Sequence, residues 1–290
     1  MDETGKTTES IEEERSHVPL LKQLGPGFIT GAADDDPSGI ATYSQAGAQY
    51  GYGLLWSVFF TTPLMIGIQL VSARIGRVTG HGLAANIRDR FPAPVGYTIV
   101  CLLLVANTLN IAADLGAMGD ALVLVVGGNS TVYILLFALL SLTLQVFVPF
   151  PRYAPILKLM TLALFAYAAT ALLVHTPLAA LYQTLVPPFA SDKDYVAMLV
   201  AVLGTTISPY LFFWQASQEV EEQRATPGHH PLREAPEQAR RHLRRIRIDT
   251  FVGMTFSNGM NLIVQSAILP GIHEPPVLAH CTVRVIVAMI

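Results

Sequence analysis

Three aspartates in succession, Asp34, Asp35 and Asp36, followed by Pro37-Ser38-Gly39, are the groups in this chain best suited to hold a cation. They lie inside an otherwise apolar stretch, Leu24 to Tyr52, that is long enough to cross a bilayer. A charged side chain at bilayer depth costs a few kcal/mol or more, so three adjacent carboxylates cannot face lipid. Pro37 removes a backbone donor, and Ser38 and Gly39 are poor helix formers. The pattern predicts two half-helices, 24–33 and 40–52, joined by an unwound hinge. Unwound backbone at that depth survives where it lines a cavity or is buried in protein, and its freed carbonyls are natural cation ligands. A short loop between two soluble helices is the competing reading, and the apolar chain around it argues against that.

Asp36 stands immediately before the break and can turn toward the freed carbonyls, which makes it the first candidate ligand. Asp34 and Asp35 have weaker claims, because three carboxylates cannot all ionise side by side without a cation. Asn107, Asn110 and Asp114 recur at spacings of three and four and so share one helix face, either an ion or proton pathway or an interhelical hydrogen-bond cluster. Around Pro209, the residues Thr205, Thr206, Ser208 and Tyr210 surround a second interruption. A lone proline is often only a kink; its hydroxyl neighbours and the first break favour a functional one. Asp249, beside a basic segment, is expected to pair with Arg245 or Arg247, and His229-His230 reads as solvated. There is no nucleophile elbow, no His-Glu-x-x-His pattern and no phosphate-binding glycine loop, so nothing points to an enzyme. Cys101 and Cys281 give neither a disulfide framework nor a thiolate metal pattern.

The elements that must position these groups follow from composition. The chain is 52% hydrophobic and only 13% charged, the balance of a polytopic membrane protein. Residues 1–23 are polar and acidic and read as a disordered tail. After the broken first span come Gly53–Ala73, Val95–Val126, Val132–Phe150, Ala154–Val174, Tyr195–Ser217 broken at Pro209, and Ile248–Leu269. Each is near the ~20 apolar residues a spanning helix needs. This makes a transmembrane domain of about seven helices over 24–270, with 271–290 left as an extracytoplasmic or aberrant end. Segment 218–247 reads as a hydrophilic loop, and its arginines as an interfacial anchor rather than a nucleic-acid patch. With the N-terminus cytoplasmic, 16 of the 18 lysines and arginines fall on the inside, which sets that orientation.

A family resemblance rests on these same stretches. Gly25-Pro-Gly-Phe-Ile-Thr-Gly, then Asp36-Pro37, then Gln45-Ala-Gly-Ala-Gln-Tyr-Gly, resembles the first transmembrane segment of the NRAMP divalent-metal transporters. Gln69 to Arg74 with Gly76 and Thr79-Gly80 is similar to the end of that family's second span, Ile111-Ala-Ala-Asp114-Leu to its third, and Ser208-Pro209 to its sixth. The similarity covers residues 20–270. It implies a LeuT-like fold of inverted five-helix repeats, all α, with broken helices one and six and the metal held between the breaks. Carried over residue by residue, it gives Asp36 the carboxylate role and the Thr205 carbonyl the backbone role. Gly39 stands at the family's asparagine position, Ser208 at its methionine and Tyr210 at its histidine. Asp114 matches a proton-pathway carboxylate, whereas Asn107 and Ala117 stand where the family usually has glutamates.

Those departures have chemical content. A thioether favours softer transition metals, whereas an oxygen-only site suits hard ions such as Mg²⁺ or Mn²⁺. The implied function is a secondary transporter moving such a cation across the cell membrane, with no tightly bound cofactor, no nucleic-acid partner, and the bilayer and the cation as its partners. The alternatives are a carrier of a small organic solute on the same scaffold and an inactive fragment or membrane interaction protein. The family has ten or more spans, so the second repeat is expected to be incomplete here, as a truncated chain or one completed by a second chain.

Overall fold

The computed structural model describes residues 25–148 and 192–273; the predicted fifth span and both chain ends lie outside them. All the regular elements among the described residues are helices, with no strand among them. The first span is two helices, α1 (Pro26–Asp34) and α2 (Pro37–Tyr50), separated by Asp35 and Asp36 alone. The hinge is shorter than the predicted gap because Pro37 sits at the first helical position, where its missing N–H costs nothing and its fixed φ starts a helix. Asp36 caps that helix, its Oδ1 accepting the Gly39 N–H at 2.6 Å.

A short 3₁₀ turn, Gly51–Leu54, leads into α3 (Trp56–Thr79), which runs six residues past the predicted end of the second span before Gly80 stops it with φ +72°. The short α4 (Leu83–Arg90) connects to the long α5 (Ala93–Val126), and α6 (Ser130–Phe147) returns after Gly127-Gly128, both at positive φ. The second broken span is α7 (Lys193–Thr206) and α8 (Pro209–Ala225), interrupted at Ile207-Ser208 beside the expected Pro209. The last described helix, α9 (Ala239–His273), is 35 residues long, and its apolar part begins at Ile248. Segment 218–247 is therefore mostly helix rather than loop. Gln218, Glu219, Glu222 and Gln223 are good helix formers, and Gln218, Glu219 and Gln223 are buried.

Among the described residues, four helical stretches are long and apolar enough to cross a membrane: α3, α5, α6 and the α7–α8 pair. The exposed Leu and Val residues of α5 and α6 are the sort of surface that faces hydrocarbon. The core lies between α1–α2, α3, α7–α8 and α9, with Ile40, Tyr43, Val202, Met260 and Val264 in one apolar cluster and Met65, Leu211 and Met254 in another. Helices α1 and α9 lie backbone against backbone. A Cβ on Gly27 would stand 2.8 Å from the Thr250 nitrogen, and one on Gly31 would meet the Gly253 backbone. Only small residues permit this approach, the usual way membrane helices gain contact when no hydrophobic drive separates them from lipid.

Two sequence expectations fail at the start of α9. Asp249 does not pair with a neighbouring arginine. Its carboxylate accepts the N–H groups of Gly25, Gly27 and Phe28 at 2.9, 2.7 and 3.0 Å, capping α1 from another helix. Arg245 pairs instead with Glu219, at 2.7 Å, and with Glu222. Nor is His229 simply solvated, for it packs edge-on against His242, ring centroids 4.6 Å apart. Burial and the nearby Arg77 and Arg245 hold both imidazoles below their usual pKa, His242 down to about 4.

Candidate cation site

Helix-breaking residues place Asp36 at the centre of four donors. Its Oδ1 accepts Gly39 N–H and the Ser38 hydroxyl, at 2.6 and 3.0 Å; its Oδ2 accepts Asn110 Nδ2 and the Tyr210 hydroxyl, each at 3.0 Å. Two donors come from the α2 start, one from α5 and one from α8. Asp114 joins from the next turn of α5, its Oδ1 accepting Ser38 N–H at 3.0 Å and its Oδ2 accepting Asn110 Nδ2 at 3.4 Å. The shared-face reading of Asn110 and Asp114 therefore extends to direct contact with the first break. Asn107 lines the same cavity, about 370 Å³, with Ser38 and Asn110 on one side and Thr205, Ser208 and Tyr210 on the other.

Across that cavity the second break is prepared differently. Ser208, which lines the cavity, donates its hydroxyl to the Thr205 carbonyl at 2.7 Å. The Thr206 hydroxyl meets that of Tyr43 at 2.7 Å, tying the end of α7 to α2. Gly39 lies close to both breaks: a Cβ there would stand 2.9 Å from Asp36 Oδ1 and 3.2 Å from the Thr205 hydroxyl.

Asp34 and Asp35 go elsewhere. They turn toward α9, where the Ser257 hydroxyl lies 2.7 Å from Asp34 Oδ2 and 3.2 Å from Asp35 Oδ1. The remaining oxygens, Asp34 Oδ1 and Asp35 Oδ2, have no partner among the described residues. Ser257 went unremarked in the sequence, although Ser257, Asn258, Asn261 and Gln265 form a polar stripe at helical spacing within an apolar span. All four are buried.

No three His, Cys, Asp or Glu side chains converge among the described residues. A metal at this place would have to complete its shell with carbonyl, hydroxyl and amide oxygens and water, the ligand set of hard divalent ions.

The family model for natural resistance-associated macrophage protein-like (Nramp) proteins matches residues 27–270. The chain belongs to the Nramp family. Among its relatives is the divalent metal cation transporter MntH of Pectobacterium carotovorum, 31% identical over 258 residues, 87% of this chain and 59% of that protein. The MntH of Yersinia enterocolitica is 34% identical over 202 residues, 68% and 49% respectively. The chain thus spans only about half to three-fifths of the length of these Nramp relatives. A crystal structure of the Eremococcus coleocola manganese transporter superposes with a TM-score of 0.73 at 18% identity, covering 94% of this chain and 61% of that one. The described residues accordingly have an all-helical, LeuT-like fold with two broken spans, and the chain is a multi-pass membrane protein of the Nramp family.

Proposed function

We propose that this chain carries the ion-binding half of a secondary transporter for a hard divalent cation, Mn²⁺ or Mg²⁺, held between the breaks of the first and sixth spans. The observation that carries the reading is Asp36, a carboxylate at a helix break, three of whose four donors are the side chains of Ser38, Asn110 and Tyr210, which also line a cavity edged by Thr205 and Ser208. Support for a divalent cation comes from the relatives, which are named divalent metal cation and manganese transporters. Support for hardness comes from this chain: Gly39 and Ser208 bring no sulfur, leaving oxygen ligands and water. The cation is the cargo, and no resident cofactor belongs to the reading.

The test is thermal unfolding of the purified chain with and without Mn²⁺. A ligand at a hundred times its Kd stabilises by about 2.7 kcal/mol, a clear rise in Tm. The rise is expected with Mn²⁺ and Mg²⁺, smaller with Cd²⁺, and absent in Asp36→Ala. A rise of equal size in Asp36→Ala would place the ion elsewhere; no rise with any divalent ion would remove the cation reading.

A further inference from the structure

Within that reading, the third span has an unassigned part. We propose that the cation held between the two breaks is also ligated from α5, by Asp114 together with Asp36, and by Asn110 turning its Oδ1 inward as a third side-chain ligand. Helix α5 would then supply what Gly39 and Ser208 do not.

The argument begins with charge. Asp36 and Asp114 make no ion pair among the described residues, yet their Oδ2 atoms both accept from one amide nitrogen, Asn110 Nδ2, at 3.0 and 3.4 Å. Two carboxylates therefore converge on a single weakly positive group. A divalent ion lodged between the two carboxylates would balance both charges, where the amide dipole balances neither. The required movement is small. Hard ions bind carboxylate oxygen at ~2.0–2.6 Å, so a shift of roughly an ångström brings each carboxylate onto the ion as the amide turns.

The same amide is built to change roles. Asn110 Oδ1 already accepts from the Ser38 hydroxyl at 3.1 Å, so both ends of the amide are engaged at the break. Rotation of the amide presents an acceptor where a donor stood, and the Ser38 hydroxyl keeps Asp36 Oδ1 as a partner at 3.0 Å. Ser38 and Asn110 both line the cavity of about 370 Å³, so water reaches the place and can fill the rest of the shell. On the opposite wall the Thr205 carbonyl is already engaged by the Ser208 hydroxyl, and beside Asp36 itself Gly39 has no side chain to offer.

Direct ligation is read most clearly by changing the ligand atom. In the full chain with Cys101→Ser and Cys281→Ser, Asp114→Cys is expected to bind Cd²⁺ with an ultraviolet thiolate-to-cadmium absorption. That band should be competed away by Mn²⁺ and be lost when Asp36→Ala is added. Asp114→Asn should weaken Mn²⁺ binding at least tenfold. Should Asp114→Cys fold poorly, Asn110→Asp provides an independent measure: a third carboxylate facing the ion raises Mn²⁺ affinity several-fold, and one remote from it changes nothing. Mn²⁺ binding that requires Asp36, combined with no absorption band, or with unchanged affinity in both Asp114→Asn and Asn110→Asp, would overturn the role of α5 while leaving the transporter reading intact. Failure of the unsubstituted chain to bind Mn²⁺ at all removes both.

Discussion

At the scale of single residues, the site is governed by which atoms are missing. Gly39 holds only a hydrogen where a side chain would press on Asp36 Oδ1 and the Thr205 hydroxyl, and Ser208 ends in oxygen. Introducing sulfur should change the preference without rebuilding the fold, because Ser208 edges the open cavity. Ser208→Met is expected to raise Cd²⁺ affinity about tenfold or more relative to Mn²⁺, in line with thioether softness. Competitive calorimetry measures the ratio, and an unchanged ratio would mean that residue 208 does not face the ion. The place of Asp36 at the break was readable from sequence because a carboxylate before a proline in an apolar run marks an interrupted helix. The separation of Asp34 and Asp35 from it was not, since their direction depends on Ser257, which lies more than 220 residues away in the chain.

At the scale of elements, the break positions were legible and the helix ends were not. Pro37 and Pro209 mark both interruptions to within two residues, since proline at a first turn punctuates a helix locally. The continuation of α8 to Ala225 and the start of α9 at Ala239 depend on tertiary burial of Glu219, Gln223 and His242, which no local pattern announces. The same holds for Asp249, whose three backbone partners belong to α1. That carboxylate satisfies the first N–H groups of a nine-residue helix that also packs backbone to backbone on α9. Asp249→Ala should loosen α1 and leave α2 as it was, since α2 has its own cap in Asp36. Hydrogen exchange on the purified chain checks this. Faster exchange across residues 26–34, with a stability loss of about 1–2 kcal/mol, is the expected result. Unchanged exchange there would show that Gly27 and Gly31, packed on Gly253, hold the helix without the cap.

At the scale of the whole molecule, charge and topology agree on an orientation. Helices α1–α2 and α9 run in the same sense, Gly27 beside Thr250 and Gly47 beside Gln265, so the first residues of both lie at one end. The end of α3 is there too: Leu232 and Arg233 donate backbone N–H to the Arg77 and Val78 carbonyls, and Arg224 reaches the Gly80 carbonyl. This end therefore gathers Arg77, Arg224, Arg233 and the arginines from 240 to 247. The opposite end holds the 3₁₀ turn at Gly51–Leu54 and the start of α7, joined by Trp56 and Tyr195 through a 3.0 Å hydrogen bond, with Asp192 and Asp194 adjacent. Basic residues flanking membrane helices stay on the cytoplasmic side, so the arginine-rich end, and the N-terminus with it, is predicted to face the cytoplasm. The test uses single cysteines in a chain carrying Cys101→Ser and Cys281→Ser, expressed in intact cells and exposed to a membrane-impermeant maleimide. Asp194→Cys and Asn129→Cys are expected to label from outside, whereas Arg233→Cys and Arg240→Cys should label only after the membrane is opened. Labelling of Arg233→Cys in sealed cells, with Asp194→Cys protected, would reverse the orientation, and would put the cavity between Asn110 and Ser208 on the opposite access route for the cation.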